Sequence, residues 1–126
     1  MLVRDAPKSA EWYRDKLGFE IVGAEGHAVF VRPGDSPSLI HLCGECEAWE
    51  GDRPGGRTGI WFSCGQILMG RTKSGILLPS SRPEDVEKVY RELKARGVEF
   101  AEELKSTSWG KYAIFKDPDG NEFEIS

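Results

Sequence analysis

The spacing of apolar residues predicts two amphipathic helices. In the first, over about Pro7–Leu17, Ala10, Tyr13 and Leu17 recur at three- and four-residue intervals and therefore share one face. The second helix is predicted over about Pro83–Arg96. Its apolar stripe consists of Val86, Val89, Tyr90 and Leu93. We expect each helix to turn its apolar face toward a core.

Residues with strong local preferences delimit these helices. Asp5 is a candidate N-cap for the first helix, and Gly18 is a candidate residue for its left-handed C-terminal turn. Ser81 and Glu84 have the spacing of a capping box before the second helix, which Gly97 would end. Both helices therefore have predicted starts and stops.

Short β-like runs occupy much of the remaining chain. The strand candidates are Phe19–Val22, Ala28–Arg32, Ser38–Leu42, Gly59–Ser63, Gly75–Leu78, Val98–Phe100, Lys111–Lys116 and Glu122–Ile125. Between the last two candidates, Asp117–Asn121 is a cluster of turn-forming residues. We expect this cluster to join them into a hairpin.

A weak internal repeat divides the chain in two. The segment around Trp12–Glu20 is similar to Val89–Glu99, and in both places helix, glycine and strands follow in the same order. Eight of the 15 glycines lie from Gly44 to Gly75, between the two copies. The sequence thus predicts one domain over residues 1–126, with module one at about 1–44, a loop-rich connection at about 45–57 and module two at about 58–126.

Composition narrows the classes of function. With 126 residues, of which 39% are hydrophobic and 30% charged, the chain has the length and composition of one globular domain. A net charge of -4 argues against nucleic acid and anionic membranes as partners. The sequence contains neither a membrane-spanning apolar run nor a signal peptide. Three cysteines cannot all pair within one chain, which favours a reducing, cytoplasmic location.

Three segments of the chain resemble a known family. Trp12–Phe19, preceded by Val3–Asp5, resembles its helix-to-strand segment, and Tyr90–Phe100 is similar to its second helix and strand. Phe115–Ile125 resembles its closing hairpin. The family is the vicinal oxygen chelate superfamily, which includes glyoxalase I, extradiol dioxygenases and bleomycin- and fosfomycin-resistance proteins.

This resemblance implies an α+β fold of two βαβββ modules. Each module would be a curled mixed sheet around a cleft, with the first strand short or missing in this chain. Many members are homodimers. The enzymes of the family bind one divalent metal, such as Zn, Ni, Mn or Fe, that holds two neighbouring substrate oxygens. Other members bind antibiotics in the same cleft without metal.

The resemblance places two metal ligands and leaves two positions unfilled. Glu124 matches the final carboxylate ligand, which also serves as a candidate base, and His41 matches the ligand that ends module one. The first position would precede Met1, and the other falls at Gly59 or in the run Gly75–Leu78, which has no ligating residue. Three explanations remain open: a metal-free binding protein, ligands from a second chain, or an absent N-terminal strand.

Further candidate residues concern the cleft and the thiols. The aromatic side chains expected to border the cleft are Trp49, Trp61, Trp109 and Tyr112. The spacing His41-x-Cys43-x-x-Cys46 suits zinc or a redox pair, or else two ordinary thiols near a strand end. We therefore expect a small-molecule-binding protein that is either a metal-dependent lyase, isomerase or dioxygenase, or a metal-free protein that sequesters an antibiotic or another drug. A third alternative is a fold that has lost its site and serves only as an interaction module.

Overall fold

The computed structural model describes residues 1–34, 37–44, 53–62, 67 and 83–126, and the side chains of all of these except 83–85. Its elements are α1 (Ala6–Leu17), β1 (Glu20–Glu25), β2 (Ala28–Arg32), β3 (Ile40–Cys43), β4 (Gly56–Phe62), α2 (Pro83–Ala95), β5 (Glu99–Thr107), β6 (Gly110–Lys116) and β7 (Asn121–Ile125). The predicted α+β class is confirmed.

Most predicted elements occur close to their expected positions. Both helices agree with the prediction to within one residue at each end. The strand expected at Val98–Phe100 is longer and continues to Thr107. The candidate strand Gly75–Leu78 and the capping residue Ser81 lie outside the described residues.

The described strands form two sheets with related strand orders. The first sheet has the order β1-β2-β3 with antiparallel neighbours, and Leu2 forms a parallel bridge to Cys43 at its β3 edge. The second sheet has the order β4-β7-β6-β5. In it β4 runs parallel to β7, and the other pairs are antiparallel. In both sheets the chain that precedes the helix thus pairs in parallel with the last strand.

Local capping fixes both ends of α1 as the sequence predicts. The Asp5 carboxylate accepts a hydrogen bond of 3.0 Å from the backbone N–H of Lys8. At the other end Gly18 has φ of 73° and donates to the carbonyl of Arg14 at 3.1 Å. A side chain would be strained at this φ, so glycine is the suitable residue.

One hydrophobic core joins the two sheets and both helices. Helix α1 packs on β1, β2 and β3, whereas α2 packs on β5 and β6. Aromatic rings connect the two halves: Phe19 contacts Phe62 with ring centroids 5.4 Å apart, and Tyr13 contacts Phe123 at 6.1 Å. We call the sheet surfaces toward this core the inner faces and the opposite surfaces the outer faces.

Reciprocal hydrogen bonds connect the C-terminal ends of the two helices. The largely buried Arg96 guanidinium donates to the backbone carbonyls of Asp15 at 3.1 Å and Lys16 at 3.2 Å. In return, the ammonium of Lys16 donates to the carbonyl of Arg96 at 2.5 Å. Cations at helix C-termini satisfy the last carbonyls and offset the negative end of the helix dipole. These contacts fix α1 relative to α2.

Candidate functional site

The turn between β6 and β7 is a buried hydrogen-bond network. Asp117 is only 5% exposed and accepts hydrogen bonds from Tyr13 Oη at 2.6 Å and from the backbone N–H groups of Asp119 and Asn121, each at 2.9 Å. The Asn121 side chain donates to it as well, at 2.9 Å. Burial first, and then the neighbouring Asp117 carboxylate, hold the pKa of Tyr13 well above its ordinary value.

The same turn connects segments that are distant in sequence. Asp119 accepts from the backbone N–H and the guanidinium of Arg4, at 2.9 and 3.0 Å. The Asn121 side chain donates to the carbonyl of Leu2 and accepts from the N–H of Gly55. A Cβ at Gly55 would lie 3.0 Å from the carbonyl oxygen of Asp119, so this close approach needs glycine. The closing hairpin, which carries much of the family resemblance, therefore has a structural role.

The outer face of the second sheet carries the carboxylate predicted as the final ligand. Along β7 the buried residues alternate with half-buried Glu122 and Glu124, as the strand period requires. Trp61 of β4 and Ile114 of β6 pair with Glu124 on either side. Within the described part of the chain, the Glu124 carboxylate makes neither a hydrogen bond nor an ion pair.

Neighbouring acidic residues on this face are paired with cations. Arg57 of β4 donates to Glu122 at 3.2 Å and lies 3.7 Å from the carboxylate of Glu102. Lys105 lies 4.0 Å from the same Glu102 carboxylate. Arg57 has no predicted role in the sequence, because its hydrogen-bonded partner is 65 residues away and no local pattern marks it. Glu124 thus differs from Glu122 and Glu102 in having no counter-charge among the described residues.

Three of the four predicted cleft aromatics are described, and they lie toward one end of this sheet. Trp61 is 57% exposed, and its indole N–H donates to the Ser126 hydroxyl. Trp109, in the β5–β6 turn, is 65% exposed and stacks on Tyr112 with ring centroids 5.5 Å apart. Trp49 lies outside the described residues. The indoles of Trp61 and Trp109 are therefore both accessible from solvent.

His41 lies on the outer face of the first sheet. It pairs with Phe30 of β2, and the two rings stack with centroids 5.0 Å apart. The next residue, Leu42, points into the core. The structure therefore places His41 and Glu124 on the outer faces of different sheets.

The described residues do not complete a metal site. No group of three or more His, Cys, Asp or Glu side chains in the described ranges is arranged to hold an ion. Trp61, rather than a ligating residue, lies beside Glu124 on β4. The donors of the described residues alone therefore do not complete the four-ligand site that the resemblance implies.

The sulfur chemistry at Cys43 differs from one of our expectations. Cys43 is disulfide-bonded, so the expectation of an ordinary thiol is wrong at this residue. A zinc ligand would have to be a free thiolate, which a disulfide is not. Cys46 and Cys64, the other cysteines of the chain, lie outside the described residues.

Two cavities border the N-terminal end of α1. Their volumes are about 300 Å³ and about 220 Å³, and both are lined by Arg4 and Asp5. Neither has a predicted site residue in its wall. In the described part of the chain no helix combines the length and the apolar composition that crossing a bilayer requires.

Comparison with known proteins agrees with this architecture. The family model of the glyoxalase/bleomycin resistance protein/dioxygenase superfamily matches residues 1–125. The uncharacterized proteins YraH and YetH of Bacillus subtilis (strain 168) are 30% and 27% identical to the chain, covering 99% and 96% of it and 91% and 88% of their own lengths. A superfamily member from Sphaerobacter thermophilus has a similar crystal structure, with a TM-score of 0.66 and 26% identity over 99% of this chain and 90% of that one. The chain therefore belongs to the glyoxalase/bleomycin resistance protein/dioxygenase superfamily.

Proposed function

We propose that this protein binds a small organic molecule on the outer face of the second sheet. The observation that carries the proposal is Glu124, a half-buried residue whose carboxylate has no partner among the described residues. Partial burial of a carboxylate without a counter-charge costs free energy. A ligand that supplies a cation or a hydrogen-bond donor would offset that cost.

The surroundings of Glu124 favour an aromatic cation. Trp61 offers an exposed indole beside Glu124, and the stacked Trp109 and Tyr112 offer further aromatic surface on the same sheet. Aromatic faces bind planar rings and attract cations. The proposed activity is therefore sequestration of an aromatic, cationic compound such as an antibiotic or another drug.

Calorimetric titration with two matched probes tests this proposal. Proflavine is a planar aromatic cation, and acridine has the same ring system but is neutral at neutral pH. We expect proflavine to bind at least tenfold more tightly than acridine. Glu124→Gln should remove that preference, and Trp61→Ala should weaken both probes.

Glu122→Gln is the matched control for charge. It removes a carboxylate from the same strand and the same face, but one that already pairs with Arg57. It should change the proflavine affinity by less than threefold. Equal effects of the two Glu→Gln variants, or absence of binding by both probes, would contradict the proposal.

A second candidate function is that of a metal-dependent lyase, isomerase or dioxygenase. It is favoured by the positions of Glu124 and His41. Each lies on the outer face of the strand that comes last along the chain in its sheet, β7 for Glu124 and β3 for His41. Because the described donors are incomplete, the remaining ligands would come from a second copy or from residues outside the described ranges. A bound Zn, Ni, Mn or Fe would supply Lewis-acid chemistry. Glu124 would accept a proton in the metal-free state.

Metal content distinguishes the two candidates. The purified protein would be assayed after incubation with Zn, Ni, Mn or Fe and extensive dialysis. Retention of one metal per chain that is lost in both Glu124→Ala and His41→Ala supports the metal enzyme. Metal retention that is unchanged in both variants counts against the metal enzyme. So does a wild type that retains none of the four metals.

We also infer two βαβββ modules within a single domain that forms a homodimer in the cytoplasm. The module assignment is supported by the parallel pairing of Leu2 with Cys43 and of β4 with β7. Sedimentation velocity tests dimerisation. A disulfide at Cys43 is disfavoured in a reducing compartment, so the state of this cysteine in the cell is the test of the location. Counting free thiols in protein extracted from cells under alkylating conditions tests the location.

A further inference from the structure

Arg32, at the end of β2, has an unused hydrogen-bonding edge. Its Nε is shielded from solvent and has no acceptor among the described residues. Its Nη1 lies 3.4 Å from the carboxylate of Glu20, a side chain that is itself 63% exposed. No partner of Nη2 is found within the described ranges. A shielded donor without an acceptor is costly, and such groups in native structures call for an explanation.

The neighbourhood of Arg32 is aromatic and apolar. Phe30, two residues earlier on the same strand, shares the outer face with Arg32. The exposed His41 ring lies against Phe30, with centroids 5.0 Å apart and an interplanar angle of 25°. Leu39, just before β3, is also exposed. Among the described residues, Glu20 is the one carboxylate paired with Arg32. A guanidinium with a free edge thus lies beside a flat aromatic surface.

We infer that Arg32 and the Phe30–His41 ring pair form a site for an organic oxyanion, a carboxylate or phosphate attached to an aromatic body. The Nε–Nη2 edge of a guanidinium matches two oxygens of such a group in a bidentate pair. The Arg32 side chain is 38% exposed, so a ligand reaches its outer part. The inference includes a rotation of the guanidinium that would bring the shielded Nε to the ligand. The aromatic body would stack over the rings.

This inference rests on the proposed function in one respect, namely that the ligand is a small molecule. It adds a region of opposite charge preference on the other sheet. The Glu124 region would take a cation, whereas the Arg32 region would take an anion. Glu20 is then a competitor, because its carboxylate occupies part of the guanidinium before the ligand arrives.

Calorimetric titration with benzoate, phenyl phosphate and neutral benzamide tests the site. We expect both anions to bind at least tenfold more tightly than benzamide at low salt. The ratio of benzoate to phenyl phosphate affinity decides between a carboxylate and a phosphate as the natural group. Equal binding of all three probes, or of none, would overturn the inference.

Three variants assign the binding to Arg32. Arg32→Gln should weaken the better anion at least tenfold, and Arg32→Lys should recover only part of the loss, because an ammonium lacks the bidentate edge. Glu20→Gln should tighten binding about threefold, because it removes the competing carboxylate. If Arg32→Gln does not fold, the Glu20→Gln result decides: unchanged or weaker anion binding would overturn the inference.

The proflavine titration separates this inference from the proposed function. Arg32→Gln should leave proflavine binding unchanged, and Glu124→Gln should leave anion binding unchanged. If the wild type binds the anions but not proflavine, the proposed function is wrong and the anion site stands. If the wild type binds proflavine but not the anions, the anion site is wrong and the proposed function stands.

Discussion

The closing turn leads into strand β7, and the outer face of the second sheet includes that strand, yet the two regions differ in how their carboxylates are paired. Asp117, directly after β6 in the turn that leads into β7, accepts four hydrogen bonds and is buried. Glu124, near the end of the strand, has no partner within the described ranges. A fully satisfied buried carboxylate contributes to stability, whereas an unpaired, accessible one is available to a ligand. The family resemblance in this hairpin therefore combines a structural turn with a candidate binding residue.

Removing the Asp117 carboxylate should have the largest effect on this comparison. Asp117→Ala leaves four donors without their acceptor, and we expect a loss of about 4 kcal/mol in the free energy of unfolding. Urea denaturation measures it. If this variant does not fold, Asp117→Asn, which keeps the shape, should lose about 2 kcal/mol. A loss below about 1 kcal/mol in both variants would mean that the turn is not essential to stability.

Tyr13→Phe should have an intermediate effect that depends on pH. It removes one hydrogen bond to Asp117 and should cost about 1.5 kcal/mol near neutral pH. Because the pKa of Tyr13 is raised in the folded state, its contribution is full below the ordinary tyrosine pKa of about 10 and falls as pH rises above it. Stability of the wild type should therefore decline faster above that pH than stability of the variant.

A matched control for that pH dependence is Tyr112→Phe. Tyr112 lies on the outer face and stacks on Trp109. This variant should keep the steeper decline of the wild type in urea denaturation at alkaline pH. Parallel pH profiles of the wild type and Tyr13→Phe would show that the Tyr13 proton is not linked to folding.

Asp5→Ala should cost less, about 1 kcal/mol, because it removes the N-cap of α1 at an exposed position. Asp5→Asn keeps an oxygen acceptor and should lose only a few tenths of that. Thermal or urea unfolding of the two variants checks the difference. Equal losses would mean that charge at the helix N-terminus, and not the hydrogen bond to Lys8, carries the effect.

Glu124→Gln should have the smallest effect on stability, within about 0.5 kcal/mol of the wild type. The Glu124 carboxylate has no partner among the described residues to lose. Urea denaturation without ligand is the measurement, with Glu122→Gln as the comparison. A loss above about 1 kcal/mol would show that Glu124 is structural, like Asp117, and that the two carboxylates do not differ in role.

Features set by local preferences could be predicted from the sequence. The N-cap at Asp5, the left-handed residue at Gly18 and the turn at Asp117–Asn121 all occur as expected. Each depends on a few neighbouring residues whose preferences agree. The apolar stripe of α1 likewise identified Tyr13 and Leu17 as buried.

The site was predicted less completely, because its geometry depends on pairing between distant strands. Strand alternation placed Glu124 on the face of β7 that is opposite to the face of the buried Phe123 and Ile125. It did not reveal that Trp61 would lie beside Glu124. The role of Arg57 and the shielded nitrogen of Arg32 had no sequence signal at all. Both follow from which strands are neighbours.

The sequence by itself determined the helices, the closing turn and the face that β7 turns to the core, because these follow from backbone preference and periodicity over a few residues. The tertiary structure decided which polar groups are satisfied. It gave Asp117 a hydroxyl from a helix about a hundred residues away, it gave Glu122 the guanidinium of Arg57, and it left Glu124 without a partner in the described chain. The physical reason is that satisfaction depends on distance in space, which register and packing set, and not on position along the chain.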